Sequence, residues 1–446
     1  MPANSLAPEL PRRSPSFVVL ICFVTIVFDG YDLVVYGSTI PSILEYQEWG
    51  VTPEEAGAIG SYALVGMLIG ALSAGALTDI IGRRKIILVS VTWFSLAMGL
   101  SALSSSPEML GIVRFLAGVG LGGVVPTAIA LTVEYSPKSR RQLNNALMYS
   151  GYFVGGILTA LAGLVLLPHV DFRVMYAIGA LPLILVVPVA WRYLPESPAF
   201  LVAKGRHAEA AALASQYGID LNENGQSARS APDEVDRLAG IRTLFSRPYL
   251  AATLLFPLAS FCGLLLVYGL NTWLPSIMSS AGFELGRSLA FLLVLNAGGI
   301  IGTIFASRIA DRIGVKPVAV GAFLSAAAAI LLLSVNLTLA LLLLCVAIAG
   351  AGTGSQILVN GYVAVHYPDA SRATALGWSL GIGRVGAILG PILGGLVAGS
   401  ALGFQWNFYM FAAFAAAGAI LISAVPRTRA SRGRRGDQVG RLERAS

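Results

Sequence analysis

Charge is scarce in this sequence. Only 12% of its 446 residues are charged, against roughly 25% in a soluble domain. So little polar surface cannot face water all round. Cysteine and histidine are scarcer still, with three of each. Cys22, Cys262 and Cys345 lie inside apolar runs, and His169, His207 and His366 are scattered. Neither a disulfide framework nor a metal set is expected, and no cofactor. No nucleophile stands beside an oriented base and no phosphate-binding loop occurs, so an enzyme is not expected. Strict polar/apolar alternation is missing, which argues against a membrane barrel. The N-terminus lacks a small-residue cleavage site, and its first apolar run is too long for a signal peptide.

What is abundant is uninterrupted apolar sequence, 56% of the residues. Segments 86–103, 174–191 and 318–335 carry no charge over about 18 residues, enough to cross a bilayer core. Helices are the spanning form expected, because every backbone group must be satisfied in lipid. The pattern predicts an all-α membrane protein of twelve transmembrane helices. They fall near 17–40, 55–78, 86–104, 107–133, 143–167, 173–193, 248–279, 287–306, 316–335, 338–363, 373–398 and 404–425. A polar stretch containing Asn222, Glu223, Asn224, Gly225 and Gln226 divides six helices from six. The expected organisation is an N-terminal half (1–193), a linker loop (194–247), a C-terminal half (248–425) and a basic tail (426–446).

Basic residues set the orientation. With twelve spans, 26 of the 30 lysines and arginines fall in segments on one side. These are the 79–85, 134–142, 192–247, 308–316 and 364–372 loops, with Arg12, Arg13 and the tail. The positive-inside rule makes that side cytoplasmic, with both termini. The opposite loops carry Arg173, Arg287 and several glutamates. The net charge of +7 is therefore a topology signal and not a nucleic-acid surface. A monomer in the plasma or inner membrane is expected.

The halves repeat at one constant offset of 232 residues. Asp79 and Gly82 match Asp311 and Gly314. Gly118, Gly120 and Gly122 match Gly350, Gly352 and Gly354. Tyr135 matches Tyr367, and Arg140 matches Arg372. Transporters use such duplicated units because two rigid halves can rock about a central site. Charges that break the repeat are candidates for function. Asp29 and Asp32 align with Phe261 and Leu264, Arg114 with Val346, and Arg384 with Tyr152.

Asp29 lies ~18 Å along the first helix, near the midplane. Asp32 follows at i+3, and Thr25 and Tyr36 extend the stripe. A carboxylate there costs about 2.5–3.5 kcal/mol against lipid, so this face must line a cavity or find partners. Two close carboxyls in low dielectric resist ionising together and suit proton loading. Arg384 lies mid-helix among Gly381, Gly383 and Gly386. It either grips an anion with its planar fork or pairs with Asp29 or Asp32. Arg114 precedes the glycine run of the fourth helix and either assists proton movement or bonds loop carbonyls. Polar residues that can line the cavity are Tyr36, Tyr152, Tyr268, Asn271, Gln356 and Asn360. Gly75, Asp79, Gly82, Arg83, Arg84 and Glu134 cluster around the loop between the second and third helices, with Asp311 as the repeat of Asp79. Asp79 after the helix end can hold a helix N-terminus or an arginine, either as a gate or as an anchor.

The 79–85 loop and the Arg114–glycine run resemble signature motifs of the major facilitator superfamily, a likeness extending over nearly the whole chain. Asp29-Gly30-Tyr31-Asp32 resembles the D-G-x-D motif of the aromatic acid/proton symporters, and Gly381-Ile382-Gly383-Arg384-Val385-Gly386 is similar to their helix 11. The resemblance implies proton-driven uptake of benzoate-like or hydroxybenzoate-like anions, with Asp29 and Asp32 needed for transport and Asp79 in gating. Val315 departs from the pattern where the second-half loop could carry arginine. Rival expectations are a symporter for a muconate- or shikimate-like acid and a drug/proton antiporter, whose usual cations disfavour Arg384. A non-transporting sensor is a third, but the 194–247 loop is too small for an output domain.

Overall fold

A computed structural model describes residues 14–137, 140–219 and 241–426. Arg12, Arg13, Lys138, the 222–226 stretch and the basic tail beyond 426 lie outside the described residues. Twelve helices are long and apolar enough to span a membrane. In the first half they are α1 Pro15–Glu45, α2 Pro53–Ile81, α3 Arg83–Ala102, α4 Pro107–Glu134, α5 Arg141–Leu166 and α6 Arg173–Tyr193. The second half has α7 Leu250–Ser280, α8 Leu285–Ile313, α9 Val315–Leu332, α10 Leu339–His366, α11 Ser371–Ala398 and α12 Gln405–Ala424. Among the described residues there is no strand.

Local chemistry sets the helix ends. Thr52 accepts from the Glu55 backbone N–H while the Glu55 side chain accepts from the Thr52 N–H, a reciprocal cap that starts α2. Ser106 caps α4, with Pro107 at its first position. α2 ends at Gly82, whose φ of 99° suits glycine. Gly314 ends α8 with φ 95°. The spans run longer than the apolar sequence suggests. Asp79 and Asp311, placed by sequence in the loops, are the last-turn residues of α2 and α8. A helix needs no apolar side chains once it leaves the hydrocarbon, so it continues until a glycine stops it.

The 232-residue offset holds in the packing. A Cβ on Gly66 would strike the Phe115 carbonyl, and one on Gly298 the Ala347 carbonyl. The pairs Gly118–Ala63 and Gly350–Leu295 behave alike. Small residues let α2 approach α4, and α8 approach α10, at backbone distance. Large apolar side chains cover the outside: Leu72 is 70% exposed, Ile184 69% and Ile420 68%. Such a belt is stable only against lipid.

α1 begins, and α6 and α12 end, at one end of the bundle, here called proximal; the other end is distal. The two halves touch distally. Gly57 of α2 crosses Pro391 and Gly395 of α11, Gly37 of α1 abuts Asn271 of α7, and Glu54 abuts Gly399. The Trp273 indole donates to the Pro391 carbonyl at 2.7 Å. Proximally the interface opens: added Cβ atoms at Gly75 of α2 and at Gly377 and Gly381 of α11 would meet nothing. The segment after α6 is more structured than its sequence suggests, with short helices Pro198–Ala203 and His207–Tyr217.

Candidate functional site

α1 carries both aspartates at mid-height, and α11 carries Arg384 at its middle. Asp29 and Asp32 are 1% and 0% exposed. Three residues apart, they point about 60° from one another around the axis. That angle sends them to different partners. Asp32 turns into the first half and forms an ion pair with Arg114 of α4. Arg114 also donates to the Asp32 backbone carbonyl at 3.0 Å, and its guanidinium lies 5.7 Å from the centre of the Tyr36 ring. The carbonyl that Arg114 meets is thus in α1, not in a loop. The pair is fully buried, and removing one member of such a pair leaves an uncompensated charge.

Asp29 turns instead toward the other half. It lines a cavity with Tyr149 and Tyr152 of α5, Tyr268 of α7 and Arg384 of α11. Ile26, Met67 and Val125 supply apolar walls. No ion pair joins Asp29 to Arg384 among the described residues. Arg384 donates to the Met67 sulfur at 3.3 Å and has Tyr268 beside it. The cavity holds ≈ 20 Å³ of space for water, room for about one molecule. Tyr149, one turn nearer the proximal end than Tyr152, is 37% exposed, so the chamber opens toward that end. A partly buried cation facing a buried carboxyl without an ion pair between them can take an anion there.

The remaining polar residues divide among three places. Tyr36 donates to the Ala56 carbonyl at 2.7 Å, which ties α1 to α2. Asn271 accepts from Asn296 of α8 at 3.0 Å, and Asn296 presses on Gly156 of α5. Gln356 donates to Asn360 at 3.0 Å and reaches Ser260, which bonds Ser379 at 2.7 Å. The Tyr36, Asn271 and Gln356 bonds link helices, the Gln356–Asn360 bond lies within α10, and none of these residues lines the cavity. Asn296, Tyr149, Ser260 and Ser379 escaped the sequence reading. Tyr149 had a signal, since it precedes Tyr152 by three residues.

At the proximal end Arg83 forms an ion pair with Glu134 and donates to the Ser197 hydroxyl at 2.6 Å. Ser197 donates to Glu134 at 2.5 Å. Glu196 accepts from the Arg84 backbone at 3.0 Å, and its carbonyl accepts from Tyr135 at 2.6 Å. The Arg84 guanidinium bonds the Trp191 carbonyl. This cluster brings together Gly82, Arg83, Arg84 and Glu134. Glu196 and Ser197, missed in the sequence, complete it; their signal was an acidic and a hydroxyl residue just after α6. Asp79 stands near Arg83 but is exposed, as are Gly75 and Asp311. Arg114 belongs to the α1 site and not to this cluster.

Comparison with known proteins agrees with the architecture. The model of the Major Facilitator Superfamily matches residues 22–333 and 289–443. The benzoate transport protein of Acinetobacter baylyi is 38% identical over 407 residues, covering 88% of this chain and 85% of that protein. The gentisate transporter of Corynebacterium glutamicum is 37% identical, covering 92% and 87%. The 4-hydroxybenzoate transporter PcaK of Pseudomonas aeruginosa is 32% identical, covering 88% and 87%. An inward-open structure of the xylose transporter XylE from E. coli superposes with a TM-score of 0.76 at 15% identity, covering 93% of this chain and 97% of that one. Fold, repeat, buried charges and sequence relatives agree, and the chain belongs to the major facilitator superfamily.

Proposed function

We propose that this protein imports a small aromatic carboxylate together with a proton by alternating access. The observation that carries the reading is Arg384, partly buried at mid-helix opposite the buried Asp29, with no ion pair between them among the described residues, beside three tyrosines. The substrate carboxylate docks on the guanidinium, whose planar fork matches two oxygens. The chamber as described has room for about one water, so it widens on binding to seat the ring among the tyrosines and the Ile26 and Val125 side chains. Asp29 takes up the proton; Asp32, held by Arg114, tunes the same helix. The halves, 1–193 and 248–425, rock about this chamber. The proximal Arg83–Glu134–Ser197 cluster ties helices of the first half together when that end is open. The proximal end is the cytoplasmic one, as the basic loops require, so the conformation described faces inward.

The named substrates of the relatives, benzoate, gentisate and 4-hydroxybenzoate, favour an aromatic acid over a muconate- or shikimate-like one. The test is uptake of a panel of labelled aromatic and non-aromatic acids by cells expressing the chain, with and without an inward proton gradient. Gradient-dependent accumulation of an aromatic acid is expected. Accumulation of non-aromatic acids alone, or of none, overturns the reading.

A further inference from the structure

Two polar atoms of the cavity have no hydrogen-bond partner among the described residues. The Tyr152 hydroxyl and Oδ1 of Asp29 are both buried without a hydrogen-bond partner. Both lie on the first-half wall, across from Arg384. The other tyrosines differ. Tyr268 sits beside the guanidinium, and Tyr149 is open enough for water to serve it. Tyr152 is also held in place. A Cβ on Gly30 would strike its backbone, and its ring packs edge-on against Phe153 at 5.5 Å. A fixed, buried donor and acceptor on one wall is the arrangement that discriminates by hydrogen bonding.

We propose that Tyr152 and Asp29 form a recognition site for a ring hydroxyl, so the preferred cargo is a hydroxylated benzoate rather than benzoate itself. The inference rests on the reading that Arg384 takes the carboxylate. A phenol both donates and accepts. With Asp29 protonated, its hydroxyl donates to the phenol oxygen and the phenol donates to Tyr152. Benzoate puts a C–H at that place and leaves both groups unsatisfied, which costs more than the bond itself adds.

The test is direct binding of benzoate and its 2-, 3- and 4-hydroxy derivatives to the purified full-length protein by calorimetry, for wild type and Tyr152→Phe. At least one hydroxylated isomer is expected to bind roughly tenfold or more tightly than benzoate. In Tyr152→Phe that ratio is expected to fall to within a few-fold of one. A merely structural role for Tyr152 would weaken all four ligands alike. Equal binding of benzoate and every hydroxylated isomer, or an unchanged ratio in Tyr152→Phe, overturns the inference and leaves the aromatic-acid reading standing. Binding of no aromatic acid at all overturns both. Should Tyr152→Phe be unstable, the wild-type ratio alone still decides.

Discussion

Tyr152 and Arg384 occupy equivalent places in the two halves, 232 residues apart, and line the same cavity from α5 and α11. The duplication therefore supplied two inward-facing positions, and only one of them carries a charge. On the proposed reading, a single cation between the halves gives an anion one seat. It also makes the chamber polar in one direction, with the acid on α1 opposite.

Arg384→Lys is expected to bind substrate nearly as poorly as Arg384→Ala. Lysine keeps the charge but replaces a two-pronged donor with a flexible point charge. A lost charged hydrogen bond is worth about 1.5–3 kcal/mol, or roughly 10- to 150-fold in affinity. Binding to purified protein reads this directly. Near wild-type affinity in the lysine variant would show that only neutralisation matters.

The two aspartates are expected to separate under substitution. Asp29 has no ion-pair partner among the described residues, so Asp29→Asn should fold normally yet lose accumulation driven by a pH gradient. Asp32→Asn strands the buried Arg114 and should cost about 3–5 kcal/mol of stability. Adding Arg114→Gln to Asp32→Asn should restore much of the melting temperature. Equal melting temperatures for Asp29→Asn and Asp32→Asn would contradict the division of roles, as would full gradient-driven uptake by Asp29→Asn.

Much of this was legible in the sequence, for physical reasons. Twelve apolar runs and the rarity of mid-helix charges follow from the cost of polar groups in lipid, and the constant offset follows from two copies of one unit. The Asp32–Arg114 pair was not legible. Sequence gives helical spacing but not which neighbour stands at each angle, so a stripe holding both aspartates hid that a difference of about 60° gives them different partners. Tyr36, Asn271 and Gln356 show the same limit, bonding to neighbouring helices, and Asn360 bonds Gln356 on its own helix. Glu196 and Ser197 were overlooked because a polar segment after the last helix of a half reads as linker. Only its packing against Arg83 and Arg84 reveals it as part of the fold.

Gly82→Leu is expected to impair turnover while leaving the binding site intact. Its φ of 99° is a conformation that costs a non-glycine residue about 1–3 kcal/mol. A leucine would also collide with Glu196 and with Phe200, dislodging the carboxylate from the Arg84 backbone. Affinity measured on purified protein should stay within a few-fold of wild type while the uptake rate falls. Normal turnover in a well-expressed variant would remove this turn from the gating machinery.

Gly57→Trp is expected to block closure of the distal end. Even a Cβ at Gly57 would lie 2.7 Å from the Pro391 carbonyl and 3.1 Å from Cα of Gly395. An indole cannot fit where two backbones cross, so α2 and α11 must separate there. The fold of each half does not depend on this seam, because α2 packs on α4 through Gly66, Gly70 and Gly118 within its own half. The variant should therefore express and melt normally, bind substrate from the distal side, and fail to deliver it. Uptake should drop to background, and a cysteine introduced at Gly381 on the proximal face of α11 should lose reactivity toward an impermeant thiol reagent. The native cysteines are buried and give little background. Unaltered uptake would mean that the distal seam need not close during transport. Lost uptake with unchanged reactivity at position 381 would mean that the two ends are not coupled through rocking of the halves.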